Sequence, residues 1–221
     1  MADQTDDGLI REVDEELREE QMKRLWQRYG KFVVGIAVLI VAIVAGNQIW
    51  QSQQLSARSA ESKQYFDAQT LAASGNTQEA LAAMQSLAGS ASTGYGVLAQ
   101  FQEAALLAEK GDHANASQLY QQIARDTLGD VALSGLANVM SAMVDVNAGG
   151  YDRAALEFRL TAMSEDTHPY RFSARELLAV IAIEHSDNDK AKLALDALIN
   201  DQATPQNIRL RAQSMLQGLG L

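Results

Sequence analysis

Gly111–Ala116, GDHANA, is the stretch from which the fold follows. It returns in altered form as GNTQEA at 75–80, GGYDRA at 149–154 and SDNDKA at 186–191. Each version opens on a helix-ending residue: Gly75, Gly111, Gly149 or Ser186. Glycine permits the left-handed conformation that closes a helix, and Asn or Asp beside it favours the turn and caps the helix that follows. Each version closes on an alanine, and Ala80, Ala116, Ala154 and Ala191 lie 36, 38 and 37 residues apart. Twelve residues before each comes another alanine: Ala68, Ala104, Ala142 and Ala179. Four residues after each comes a large apolar side chain: Met84, Tyr120, Phe158 and Leu195. Seven residues after come Leu87, Ile123 and Leu198, with Thr161 out of pattern.

Columns in register across four units predict four helix pairs. The paired alanines let the two helices of a pair approach closely, and the large residue four positions on fills the groove between units. Residues 206–219, QNIRLRAQSMLQGL, read as the terminal capping helix that a stacked array needs. Two prolines in 221 residues, Ala-rich runs and few β-branched stretches beyond 32–50 agree with an all-α protein.

Upstream of the repeats, Phe32 to Trp50, FVVGIAVLIVAIVAGNQIW, is 19 residues without a charge. At ~1.5 Å per residue a helix of that length reaches ~28 Å, about the hydrocarbon thickness of a bilayer. Eleven of the 19 are Phe, Val, Leu or Ile, which together contribute roughly −3 to −6 kcal/mol toward insertion. The stretch therefore reads as a transmembrane helix over 32–50. Six bases precede it (Arg11, Arg18, Lys23, Arg24, Arg28, Lys31), and only Arg58 and Lys63 lie in the 20 residues after it. Lys and Arg near a span stay on the cytoplasmic side. Residues 1–31 are thus expected to be a cytoplasmic amphipathic head, and 51–221 to lie across the membrane. Trp26, Tyr29 and Trp50 suit the two interfaces. A cleaved signal peptide, with Val44 and Gly46 as small residues before the cut, is the competing reading. Residues 51–73 hold neither Pro nor Gly, which predicts that the helix of the span continues into the first helix of the body.

The head carries nine acids and six bases, the acids toward its start and the bases toward its end, with Leu9, Ile10, Val13, Leu17, Leu25 and Trp26 at helical spacing. It reads either as a docking helix for a partner or as a lead-in that only sets topology. In the span, Ala42 and Gly46, with Gly35 two turns earlier, form a small-xxx-small face of the kind that lets helices approach in lipid. Net charge is −10, with −7 in the body, a poor match for nucleic acid or anionic lipid surfaces on that side. Cysteine is absent, which excludes disulfides, thiolate metal sites and a Cys nucleophile.

The repeat pattern resembles the tetratricopeptide repeat in its small residue, its Ala twelve positions later and its large residue four further on. Here the usual Trp position is Gln64, Gln100, Asn138 and Arg175, and the spacing is longer than usual. Taken whole, LWQRYGKFVVGIAVLIVAIVAGNQIW at 25–50 and QSQQLSARSAESKQYFDA at 51–68, followed by degenerate repeats, resemble the membrane-anchored tetratricopeptide-like family that includes the ancillary subunit of the bacterial SecYEG translocon. The resemblance implies a single-pass inner-membrane protein with a periplasmic α-solenoid over 51–221. It further implies partners in the Sec translocon or a membrane-bound periplasmic chaperone, and work on exported polypeptides.

Residues for chemistry are sparse. His113 sits in a turn, His168 precedes Pro169, and His185 ends a helix; none has a partner at i+3 or i+4. Glu165–Asp166 and Asp187/Asp189 lack the spacing of a calcium loop. No glycine-rich phosphate loop, nucleophile elbow or zinc helix occurs. No catalytic, cofactor-binding or metal-ligating residue is therefore expected, and no cofactor. The sequence points to a membrane-tethered interaction scaffold. The alternative is a helical-repeat envelope enzyme or small-molecule receptor, which would need a convergent polar cluster in a pocket.

Overall fold

The computed structural model describes residues 4–220, with only the backbone described over 4–21 and at Val33. Among the described residues it is helical throughout, without strands: α1 (Gln4–Ala73), α2 (Thr77–Ser90), α3 (Tyr95–Glu109), α4 (His113–Asp126), α5 (Val131–Ala148), α6 (Arg153–Met163), α7 (Arg171–Glu184), α8 (Asn188–Asn200) and α9 (Gln206–Gly218). The chain divides into two compact units, Met1–Ala57 and Arg58–Leu221. As the lack of Pro and Gly predicts, α1 is unbroken across 51–73. The apolar side chains of the head, Leu9, Ile10, Val13 and Leu17, lie outside the described residues.

In the first unit, the apolar stretch of α1 is a candidate span, with none of its most apolar window buried. α5 is also long and apolar enough to cross a membrane, but it is a core helix of the second unit. Ala137, Val139, Ser141, Ala142 and Val146 are buried against its neighbours. An apolar helix packed on several sides within a solenoid meets the same criterion as a span.

The second unit is built from four helix–joint–helix pairs. In three joints, the residue ending the first helix is left-handed: Gly75 at φ 84°, Gly111 at 83° and Ser186 at 57°. The next residue donates its N–H to a carbonyl five residues back (Asn76 to Leu71, Asp112 to Leu107, Asp187 to Ala182), and the left-handed residue donates three back. This paired closure satisfies the orphan carbonyls of the first helix. The same Asn or Asp is the N-cap of the second helix. Asp112 and Asp187 accept the backbone N–H three residues on, whereas the Asn76 side chain caps nothing.

The third joint departs from this pattern and corrects the register expected from Ala154. There both Gly149 and Gly150 have φ near 72°, and Gly149 donates to Asp145 and Val146. The N-cap is Asp152, which accepts from Ala155. The joint is two residues longer, so every buried position slides by two. Ala154 and Thr161 are exposed, and Phe158 is 80% exposed. Leu156, Leu160 and Met163 occupy the inward positions instead. Counted from the N-cap, all four second helices then obey one rule. The fourth residue (Ala80, Ala116, Leu156, Ala191), the eighth (Met84, Tyr120, Leu160, Leu195) and the eleventh (Leu87, Ile123, Met163, Leu198) are buried. The alanines expected on the first helices, Ala68, Ala104, Ala142 and Ala179, are all buried. In α6, Leu156 takes the inward place that alanine holds in the other three second helices.

The apolar interior is serial. Four clusters run through α1–α2–α3, α3–α4–α5, α5–α6–α7 and α7–α8–α9. Each pair is completed by the first helix of the next, so stability is a sum of neighbour interfaces. α9 closes the series with Ile208 and Ala212 inward and Gln206, Asn207, Gln213, Ser214 and Gln217 exposed. Leu210 is also exposed, and the helix sits at the place expected of a capping helix from the sequence.

Candidate interaction surface

The two-residue slip leaves α6 flanked by two grooves. Each is walled by second helices and floored by a first helix. The groove between α4 and α6, about 500 Å³, is lined by Gln121, Asp145, Tyr151, Asp152, Phe158 and Arg159 among others. The groove between α6 and α8, about 420 Å³, has an apolar floor and wall of Leu178, Ala182, Leu193, Ala194 and Ala197. Phe158 stands at the first, and Leu193, 74% exposed, at the second. Large apolar side chains beside open grooves are what binding surfaces require.

Polar networks hold the walls. In the first groove, Arg159 Nη2 lies 3.2 Å from Asp145 Oδ2, and Nη1 donates to Ser141 Oγ at 3.3 Å. Ser141 lies 3.1 Å from the buried Ser117, whose hydroxyl accepts from Gln121 at 3.2 Å. The chain of bonds ties α4, α5 and α6 together. In the second groove, Arg153 bonds Glu157 at 2.6 Å and reaches Asp187 at 3.4 Å. Lys190 lies between the same two carboxylates, at 3.9 and 3.4 Å. The Glu157 hydrogen bond holds the Arg153 guanidinium above its ordinary pKa. At the far end, Arg175 donates to the Ser164 carbonyl at 3.1 Å and pairs with Asp166 at 2.5 Å and Asp201 at 3.6 Å. Arg175, at the position where the repeat usually carries Trp, joins α7 to the α6–α7 loop and to the end of α8.

The histidines do not converge. His113 is the first residue of α4. His168 Nδ1 accepts the Tyr170 N–H at 3.2 Å, and burial lowers its pKa. His185 caps α7, with its Nδ1 2.9 Å from the Ile181 carbonyl and its ring against Tyr151. The acid pairs serve the joints: Asp166 pairs with Arg175, and Asp187 caps α8. Among the described residues, no three His, Asp or Glu side chains are placed to hold a metal ion. Tyr151 donates to Glu184 at 2.6 Å, and burial together with that bond pushes its pKa up to about 12, so the phenol is a donor at neutral pH.

One buried carboxylate was not singled out from the sequence. Glu61, on α1 in the second unit, accepts the N–H and hydroxyl of Ser92 at 2.8 and 3.0 Å and the N–H of Thr93 at 3.2 Å, and bonds the Thr93 hydroxyl. It fastens α1 to the α2–α3 turn. The Thr93 hydroxyl does most to hold its pKa below the ordinary 4.5, against a burial effect in the opposite direction.

The family profile described as Tetratricopeptide repeat-like domain matches residues 23–208. Searches of curated proteins and of solved structures returned no match.

Proposed function

Because the chain belongs to the tetratricopeptide repeat-like domain family, we propose that it is a membrane-tethered scaffold for protein–protein interaction. In this reading, residues 1–31 are a cytoplasmic head, 32–50 cross the inner membrane and 51–221 form the periplasmic repeat domain. Helical repeats of this family mediate protein–protein interactions, and this array offers extended, groove-bearing walls. The observation that carries the reading is the identity of α1. One helix holds the 19-residue apolar stretch, with none of its most apolar window buried, and also supplies Ala68 to the first repeat core. The Lys/Arg asymmetry about that stretch supports a body outside the cytoplasm. The resemblance to the translocon-associated family supports the Sec translocon or a membrane-bound periplasmic chaperone as partner, and exported polypeptides as clients.

The test is crosslinking in intact membranes from photoreactive residues at Phe158 and Leu193, followed by identification of the attached proteins. A second arm replaces 32–50 by an unrelated span. Adducts with translocon or chaperone components that weaken with the foreign span support the proposal. Turnover of an envelope metabolite by the purified protein, with no protein adducts, would favour the enzyme or receptor reading instead.

A further inference from the structure

Among the described residues of the second unit, Phe158 is the most exposed large apolar side chain, at 80%, and Leu193 follows at 74%. The two hold equivalent places. Each is the sixth residue after its N-cap, Asp152 or Asp187, so they stand level on neighbouring second helices. The same place on α2 and α4 is taken by Ala82 and Gln118. The other exposed residues of α6 are Ala154, Ala155, Thr161 and Ala162, so its outer face carries no charge. Phe158 lines the groove on the α4 side of α6. The apolar groove of Leu178, Ala182, Leu193, Ala194 and Ala197 lies on the α8 side. An apolar knob and an apolar hole thus stand one helix apart on one face.

We infer that this face pairs with the same face of a second copy, Phe158 of each entering the α6–α8 groove of the other. A two-fold axis parallel to the helices, between α6 and that groove, produces the contact. It preserves height, so the incoming ring arrives level with Leu193. It also turns the α4 side of one α6, where Phe158 stands, toward α8 of the other. One isologous contact then covers both knob and hole. An unrelated apolar segment in the groove would leave Phe158 in water. The groove, about 420 Å³, exceeds the ~150 Å³ that takes a benzene ring, which leaves room for the alanines beside Phe158. Charge also permits a like partner, although the body carries −7. Glu157, Arg175 and Lys190 are the charged residues lining the groove, and each is paired within its own copy: Glu157 with Arg153 and Lys190, Arg175 with Asp166 and Asp201. The walls, 11 and 13 residues long, span about 16 and 20 Å. A patch two helix spacings wide buries on the order of 300–400 Å² per copy, about half of a standard interface. The pairing is accordingly weak, and covalent capture is the way to read it.

The test replaces Phe158 by photoreactive benzoylphenylalanine in the full-length protein in intact cells. The same group at Ala82, the exposed sixth residue after the α2 N-cap, is the control for chance collision. An adduct of twice the chain mass is expected from 158 and not from 82, with the attached peptide mapping to 171–200. Leu193→Glu changes an exposed side chain, so Tm should hold. It should cut the doubled adduct more than ten-fold, because the ring would then have to strip a charge of water. Absence of the doubled adduct, an equal yield from 82, or a yield unmoved by Leu193→Glu would overturn the inference. Adducts from 158 with a different protein alone would also overturn it, and would leave the scaffold reading standing. A doubled adduct that obeys both controls supports the pairing whether or not other proteins are captured.

Discussion

Leu160→Ala and Phe158→Ala differ by two positions on one helix, and the structure predicts opposite outcomes. Leu160 is 1% exposed in the α5–α6–α7 cluster with Leu156, Met163, Val139 and Ala142. The substitution removes three carbons, a transfer loss of about 2.4 kcal/mol at ~0.8 per carbon. The cavity left behind raises the cost into the range of about 3–5 kcal/mol. Phe158 projects to solvent, so its truncation should change stability by no more than ~0.5 kcal/mol. For a domain of this size, 1 kcal/mol shifts Tm by roughly 2–4 °C. Leu160→Ala should therefore lower Tm by at least ~6 °C, and Phe158→Ala should leave it within ~2 °C. Thermal unfolding of the full-length protein in detergent, followed by circular dichroism at 222 nm, measures both. Hydrogen exchange over 153–163 should show the loss of protection in the first variant alone. Comparable losses, or a larger one for Phe158→Ala, would mean that α6 keeps the register of Ala154 and that the two grooves beside it are misplaced.

Four further outcomes are expected. Ala116→Trp, at a fully buried position, should cost ~1–3 kcal/mol or more through overpacking, and an unchanged Tm would contradict the N-cap rule. Gly135→Ala would place a Cβ 2.5 Å from the Tyr170 ring, so it should destabilise although Ala is the better helix former; Gly89→Ala, with open space around it, should instead stabilise by up to ~1 kcal/mol, and thermal melts of the two should separate in sign. Ser186→Gly relieves a left-handed non-glycine residue and should raise stability or leave it level, whereas Gly111→Ala at φ 83° should lower it by ~1–2 kcal/mol in the same melts. Glu61 has a depressed pKa, so its contribution is present above the ordinary 4.5 and is lost as pH falls below that value and through the lowered one. The difference in Tm between the native protein and Glu61→Gln should accordingly shrink on acidification, and a difference independent of pH would remove the clamp from the account.

The parts of this fold written locally were legible in the sequence. The breaker followed by Asn or Asp marks the joints, and the alanines of the first helices mark buried positions, because both recur at fixed spacing within a unit. Asp152 is a local signal too. Counting from the cap instead of from the glycine would have placed Leu156, Leu160 and Met163 inward, and Thr161 falling out of its column was the symptom. What misled was Gly149, which matches Gly75 and Gly111 in spacing but is followed by a second left-handed glycine instead of a cap. The candidate surface was less legible because its parts are far apart in sequence. Glu61 meets Ser92 across 31 residues and Arg159 meets Asp145 across 14, and no periodicity announces such pairs. Arg175 could be flagged only as a departure from the usual Trp, not as the centre of three bonds.

The central proposal is that α1 tethers a repeat scaffold on the far side of a membrane. Cysteines introduced one at a time into this cysteine-free chain at Asp7 and at Asp189 test it in intact cells with a thiol reagent that cannot cross the inner membrane. The account predicts labelling at 189, protection at 7 until the membrane is opened, and retention of the full-length protein in the membrane fraction after carbonate extraction. Labelling at 7 with protection at 189, or release of the protein by carbonate, would contradict it.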